Sequence, residues 1–504
     1  MTDYKLIILQ STQRVIYMKK QLIYTTISGI IITAILFSSA KASTTSTATN
    51  PQATDIIIQG KSFVFKSNPQ TRFMIRGVTY QPEQNVDPIS DNNYSTIEKL
   101  VGTSDKPGLW KQLNINAIRV YQVDPSQSHK NIMDFLARNG IYVLVGTSNT
   151  SIGIDTYNPK YTTAYKNRIK DIINAFYQYP NVLGFNIGNE VEYPSNKNTL
   201  ENEKNGAAAI KSAIRDAQQY IQSLIQNGQL DHQIPVGTAM LDNPNPPSGQ
   251  VGTPMIAQYL ACDSNDNGNN VRADYIGINN SRFVSPNGNL NAYDELISDY
   301  HITEYSIPAI MTEFEGPSPQ TGERTWADVG HLYQTASQYN QLSGGFAYRF
   351  YQKQENRGLI NSPTDLTATV HGGLNNLNKQ YSDVSAISIA LAPTVNQAIT
   401  CPNNFNPALV QAGGGGITTN TTITVKNYAN AALKVIQNNN QLADLPSGSG
   451  SNPSSTEVKI DNTKELLIQQ PGNWYTVCTV SANTLTDNST VLDNVSWGGA
   501  CNVE

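Results

Sequence analysis

The sequence predicts an α/β protein: a (β/α)8 TIM barrel followed by a small all-β module. Three observations predict it. First, eight short apolar runs of β-type composition recur at 73–79, 117–121, 142–145, 182–187, 234–238, 275–279, 308–312 and 345–350. Second, segments with a helical apolar period lie between them. One is 165–177, with Ile169, Ile172, Ile173 and Phe176 on one face; another is 207–225, with Ile210, Ile214, Ile221 and Ile225. Strands alternating with helices make parallel β/α units, and eight such units suggest closure into a barrel. An open doubly wound sheet is the structural competitor, but no G-x-G-x-x-G turn follows the first run. Third, the texture changes after about Ala392. Gly413-Gly414-Gly415-Gly416 marks a break, and beyond it Thr/Val alternation with turn residues predicts short strands at 417–426, 432–436, 456–460, 465–469, 474–480 and 491–497. The barrel with its connector is assigned to 56–402, and a β-sandwich-like module to 403–504.

The amino end bears on the compartment. Met18-Lys19-Lys20, an apolar stretch over about 22–37 and Ala40-Lys41-Ala42 read as a secretory signal peptide over 18–42, cut before Ser43. Residues 1–17 read as a misassigned upstream start. No second run of spanning length follows, and the polar end 501–504 predicts no lipid-anchor tail. The mature chain is therefore expected to lack a transmembrane span and to be secreted, periplasmic or on the cell surface.

Composition narrows the chemistry. There are 34 Lys+Arg against 39 Asp+Glu, a net charge of −5, with no basic run beyond Lys19-Lys20, which argues against nucleic acid as a partner. Tyr outnumbers Phe by 26 to 12, so aromatic surface comes mostly with a hydroxyl, as suits stacking on sugars and hydrogen bonding to them. Five His leave little material for a His-based metal site or a Ser-His-Asp triad, so carboxylate chemistry with no metal and no cofactor is expected. Four Cys (Cys262, Cys401, Cys478 and Cys501) are an even number for an oxidising compartment, with three pairings open and no zinc spacing.

Two strand ends carry carboxyls. Gly188-Asn189-Glu190 closes the fourth run and Thr312-Glu313 the seventh. In a barrel the C-terminal strand ends face the active-site mouth, so strands four and seven would set two carboxyls across one cavity. Retaining glycoside hydrolysis needs that pair: one acid to protonate the leaving oxygen and a second, about 5 Å away, to attack the anomeric carbon. A carboxamide beside the acid, here Asn189, could bond the sugar 2-hydroxyl. Glu192 and Glu315 are rival carboxylates two residues beyond each strand end.

Several motifs occur in order: Arg76-Gly77-Val78-Thr79-Tyr80-Gln81, Asn116-Ala117-Ile118-Arg119-Val120-Tyr121, Gly188-Asn189-Glu190-Val191, Ile234-Pro235-Val236-Gly237, Ala273-Asp274-Tyr275-Ile276-Gly277-Ile278-Asn279, Thr312-Glu313-Phe314 and Ser343-Gly344-Gly345-Phe346-Ala347-Tyr348. From about residue 60 to 402 this series resembles the fungal Gas/Gel-type β-1,3-glucanosyltransferases of glycoside hydrolase family seventy-two. The resemblance implies a barrel enzyme acting on β-1,3-glucan, with Glu190 as acid/base and Glu313 as nucleophile. It implies that Asn189, Gln81 and Tyr121 hold the donor sugar and that Tyr348 or Phe350 lines the cleft after strand eight. It also implies a Cys262–Cys401 bond, leaving Cys478 and Cys501 to close a short loop in the β module. The chain departs from the family pattern at three places: Gly146-Thr147 stands where an acidic residue follows strand three, Asn280-Ser281-Arg282 replaces a Tyr after strand six, and Gly316-Pro317 replaces a Cys after the nucleophile. These departures touch substrate and acceptor subsites rather than the glutamates. The expected function is a secreted β-1,3-glucan transglycosylase working through a covalent glycosyl-enzyme. An endo-β-1,3-glucanase and an idle glucan-binding protein are the alternatives.

Overall fold

The computed structural model describes residues 52–191, 199–266, 268–316, 319, 321–333, 341–353, 356–397 and 399–413, and then 420–428, 432–437, 440–448, 452–461, 466–469, 476–480, 490–493, 499–500 and 502–503. The expected signal peptide, residues 18–42, lies outside them. Eight parallel strands close a barrel: β1 (Ile75–Thr79), β2 (Ala117–Val120), β3 (Tyr142–Gly146), β4 (Val182–Asn186), β5 (Val236–Leu241), β6 (Tyr275–Asn279), β7 (Ala309–Phe314) and β8 (Leu342–Ala347). Each pairs with its sequence neighbour, and β8 returns to β1. Most strand residues are buried, as expected of strands covered on both faces by the barrel interior and the surrounding helices. The helices expected at 165–177 and 207–225 run over Thr163–Phe176 and Leu200–Gln226. Side-chain caps start both: Thr162 accepts from the Tyr165 N–H and Thr199 from the Asn202 N–H.

The eighth strand differs from its expected span, beginning at Leu342 rather than 345 and ending at Ala347. Gly344, before the expected start of the strand, and Gly345, at that start, both lie inside it. Gly344 has φ +77°, and a Cβ there would stand 2.3 Å from the Ile75 carbonyl oxygen; at Gly345 it would stand 2.3 Å from that of Met311. Only glycine lets β8 approach both neighbours, and its register with β7 shifts at this point. Tyr348 and Phe350 therefore lie past the strand end.

A three-stranded antiparallel meander, Ile56–Gln59, Ser62–Phe65 and Asn68–Arg72, precedes β1 and was not read from the sequence. It shares a core with the barrel interior, where Ala53, Ile56 and Phe63 join Ile75, Leu144, Leu183, Tyr275, Ile310 and Phe346. The far end of the barrel is thus packed shut, and the C-terminal strand ends are the open face. After β8 the helix Leu374–Ser385 returns to the barrel, where the Tyr381 hydroxyl donates to the Gly77 carbonyl at 2.7 Å.

Cys262 and Cys401 form the expected disulfide, tying the end of helix Gly252–Ala261 to the segment beyond the barrel. The Cys478–Cys501 pairing lies outside the description, because Cys501 is not among the described residues. Among the described residues, the later ones form two sheets, one of four strands and one of five. Their facing sides make a separate core: Ile423, Val425, Val458 and Ile460 from one sheet, Leu433, Val435, Leu445, Leu466, Ile468 and Val480 from the other. Strand Asn440–Leu445 at the edge of the larger sheet is an addition to the sequence reading. Among the described residues no helix is long and apolar enough to cross a membrane.

Candidate active site

Four strand ends converge on the mouth of the barrel. Beyond β4 the chain turns through Gly188 (φ +68°) to Glu190 (φ +51°), a left-handed conformation that non-glycine residues seldom adopt. The turn is fixed from three sides. The Glu190 N–H donates to the Ala239 carbonyl on β5 at 2.8 Å, the Gly188 N–H donates to the Tyr165 hydroxyl at 3.0 Å, and the Asn186 amide donates to the Gly188 carbonyl at 2.7 Å. Glu313 is the penultimate residue of β7, with its side chain 14% exposed.

Glu313 Oε1 receives three hydrogen bonds, from Tyr121 Oη at 2.7 Å, Arg119 Nη1 at 3.0 Å and Asn279 Nδ2 at 3.0 Å. Asn279, the last residue of β6, turns the same Nδ2 toward Glu190 Oε1 at 2.8 Å. One amide nitrogen thus touches both carboxyls, which holds those two oxygens within about 6 Å of each other and sets the pair at one reaction centre, as retaining hydrolysis needs. Arg119 is buried in β2 and also donates to the Thr312 carbonyl, Asn279 Oδ1 and Asn189 Oδ1, with its guanidinium 4.4 Å from the Tyr121 ring centroid. Burial pushes the Glu313 carboxyl up to about 7 against the pull of Arg119, and the nearby Glu190 pushes the same way. Burial, with the Glu313 charge beside it, holds the Tyr121 phenol well above its ordinary value, so Tyr121 remains a donor.

The pair opens on a cleft of about 850 Å3 lined by Gln81, Tyr121, Asn189, Glu190, Glu313 and Tyr348, and also by Ser148, Thr150, Arg349, Tyr351 and Lys353. A second depression of about 390 Å3 adjoins it, sharing Gln122, Asn149 and Thr150. Asn189 is exposed, and its Oδ1 is held by Arg119 and Asn279, leaving Nδ2 as the group it can offer a ligand. Gln81 is occupied as a brace: Nε2 donates to the Glu83 and Val86 carbonyls at 2.8 Å, and Oε1 faces the Tyr121 and Gln122 amides.

Phe350 is not in the cleft wall. It is fully buried, packed edge-on against the rings of Tyr80, Trp110 and Tyr351. Glu315, just past the end of β7, is also fully buried and takes a bond from the Ser285 hydroxyl, and Glu192 is outside the described residues. Two members of the site had no role in the sequence reading: Arg119 and Asn279. A charged residue inside the apolar run 117–121 and an amide closing the run 275–279 were the available signals. The departures are accommodated locally. Thr147 bonds the Tyr165 hydroxyl at 2.8 Å, and Arg282 clamps Asp242 and Asp299.

Residues 45–385 match the family model described as glucanosyltransferase, glycoside hydrolase family 72. The chain belongs to this family. It is 30% identical over 407 residues to the 1,3-beta-glucanosyltransferase GAS5 of Saccharomyces cerevisiae, covering 78% of this chain and 76% of that one. It is 28% identical over 473 residues to the 1,3-beta-glucanosyltransferase gas2 of Schizosaccharomyces pombe, covering 88% and 94%. Among solved structures it is similar to Saccharomyces cerevisiae Gas2p in complex with laminaritetraose and laminaripentaose, with a TM-score of 0.55 and 26% identity over 70% of this chain and 72% of that one.

Proposed function

We propose that this family member is a secreted retaining β-1,3-glucan transglycosylase that cleaves a β-1,3-glucan and transfers the new reducing end to a second glucan. The carrying observation is the Asn279 amide nitrogen bonded at once to Glu190 and Glu313 on the open face of the barrel. Membership of the glucanosyltransferase family supports the reaction class, and the laminari-oligosaccharides held by the yeast Gas2p structures support the substrate.

Glu313 is the nucleophile. Three donors converge on its Oε1, an arrangement that favours the carboxylate. Glu190 is the acid/base, with the Asn279 amide as its side-chain donor among the described residues and a place on the cleft wall. In the first step Glu190 gives its proton to the glycosidic oxygen while Glu313 attacks the anomeric carbon, which breaks the glycosidic bond and forms an ester. In the second step the Glu190 carboxylate takes the proton of an acceptor hydroxyl, whose oxygen displaces Glu313. A sugar hydroxyl as acceptor gives transfer and water gives hydrolysis. The Asn189 Nδ2 is available to a sugar hydroxyl, Tyr121 steadies the nucleophile, Gln81 braces the loop beside Tyr121, and Tyr348 forms wall. The 56–402 segment is the catalytic unit and 403–504 an appended β module braced by a Cys478–Cys501 bond; residues 18–42 direct export.

Incubation with laminari-oligosaccharides at millimolar concentration tests the reading. Products longer than the substrate are expected. Only shorter products would leave an endo-glucanase, and binding to insoluble glucan without turnover would leave a binding protein.

A further inference from the structure

Three ionisable side chains at the same end of the barrel take no part in the chemistry above. Glu315, Arg324 and Asp328 are all fully buried, at 0% exposure. Charges enclosed in this way are costly unless their groups are paired and bonded, and replacement by apolar side chains would often serve stability as well. Their bonds show what they hold. Arg324 Nη1 donates to the Tyr348 carbonyl at 2.6 Å, and Nη2 donates to the Arg357 carbonyl. The two carbonyls are nine residues apart in the segment after β8, so one guanidinium ties the start of that segment to its return. Tyr348, Arg349, Tyr351 and Lys353 on this segment form one wall of the cleft. The Tyr348 ring has the Arg349 and Arg357 guanidiniums 5.4 and 5.6 Å from its centroid.

The other side of Arg324 faces the barrel. Its guanidinium lies 4.2 Å from the Trp326 ring, and Trp326 packs edge-on against Phe314, the residue after Glu313. Burial pulls Arg324 down to about 10, the Glu315 and Asp328 charges pull it back up, and Arg357 opposes them. Ser285 Oγ and the Tyr293 hydroxyl bond the two acids in turn. The set joins the end of β7 to the wall beyond β8.

We propose that Arg324 is a positioning residue for the glucan reaction, its fork clasping the segment that carries Tyr348. The assignment rests on the transglycosylase reading for its effect on kinetics, while the clasp itself does not. A planar fork reaches two carbonyls at once; a lysine ammonium is a point charge on a flexible stem and cannot hold both in this geometry. Loosening the wall weakens substrate binding more than the carboxyl chemistry.

The test uses the full chain, with thermal melts to establish folding. Arg324→Lys is expected to raise KM for laminari-oligosaccharides about tenfold and to change kcat by less than about threefold. In a Tyr348→Ala background the same change is expected to cost less than about twofold in kcat/KM, because the two act through one wall. A fall in kcat at unchanged KM, or losses that multiply, would overturn the assignment. If Arg324→Lys does not fold, Arg324→Gln, which can donate to one carbonyl but not fork across two, carries the same expectations and the same overturning results. Hydrogen exchange of peptides covering 348–353 separates the clasp from the reaction. Faster exchange in the folded variant supports the clasp even if wild type turns over no glucan, and unchanged exchange removes it.

Discussion

Two pairs of carboxyls flank the end of β7, and they differ in access rather than in charge. Glu190 and Glu313 share the Asn279 amide and open on the cleft, whereas Glu315 and Asp328 are enclosed with Arg324. Burial raises members of both: Glu313 and Asp328 to about 7, and Glu315 well above its ordinary range. A raised pKa therefore does not by itself mark the reacting pair, since structural ion clusters raise it too. What separates the pairs is whether a ligand atom can reach the oxygens. Glu315 follows Glu313 by two residues, yet at φ +70° it has left the strand geometry that would keep both on one face.

The largest expected effect breaks the comparison if it fails. Glu313→Gln and Glu190→Gln should each lower turnover of β-1,3-glucan oligosaccharides by about a thousandfold or more, and they should fail differently. With an activated donor, Glu190→Gln should still form the glycosyl-enzyme, and a small added anion should restore release; Glu313→Gln should form none. Mass spectrometry of the intact protein reads the adduct. An adduct on Glu313→Gln would mean that the other carboxyl is the nucleophile.

A change remote from both pairs separates stability from chemistry. The Cys262–Cys401 bond closes a loop spanning 139 residues, so the double Cys→Ser variant should lose about 2–5 kcal/mol in denaturant unfolding while its transfer products keep their pattern. A changed product pattern would mean that the bond also shapes the cleft.

A smaller effect sharpens the cleft side. Glu313 must be ionised to attack, so kcat/KM should fall as pH drops below about 7. Tyr121→Phe removes a donor to the carboxylate, and this acid limb should move to higher pH by about one unit. An unmoved limb would mean that another group sets it.

The smallest effect concerns the buried side. Asp328 has its pKa raised from 3.8 to about 7, so between those values the native state holds a proton that the unfolded chain has lost. Its contribution to stability is thus fully present below about 4 and declines as pH rises toward 7. Asp328→Asn should flatten that decline in unfolding free energy measured across pH 4–7 and leave the acid limb of kcat/KM in place. A shift of that limb would join the two pairs into one titrating system.

The strands and the glutamates were legible in the sequence for a local reason. Buried parallel strands are continuous apolar runs, and a carboxyl at the end of such a run stands out. Arg119 and Asn279 were visible as anomalies but had no partners to explain them, since their bonds cross to β4 and β7, 70 and 34 residues away. The close backbone approaches at Gly344 and Gly345 extend β8 earlier than its apolar run, which residue type alone does not mark. Phe350 and Tyr348 are aromatic residues two positions apart, one buried in a ring cluster and one in the cleft wall.

The sequence by itself determined the β/α alternation and the two carboxyls at strand ends, because periodicity and residue type act over short stretches of chain. The tertiary structure alone decided which polar atoms meet: that one amide serves both glutamates, that Arg119 steadies one of them, and that Glu315 is walled in with Arg324. Those outcomes depend on where separate strand ends arrive in space, and closure of the barrel sets that through contacts among residues distant in the chain.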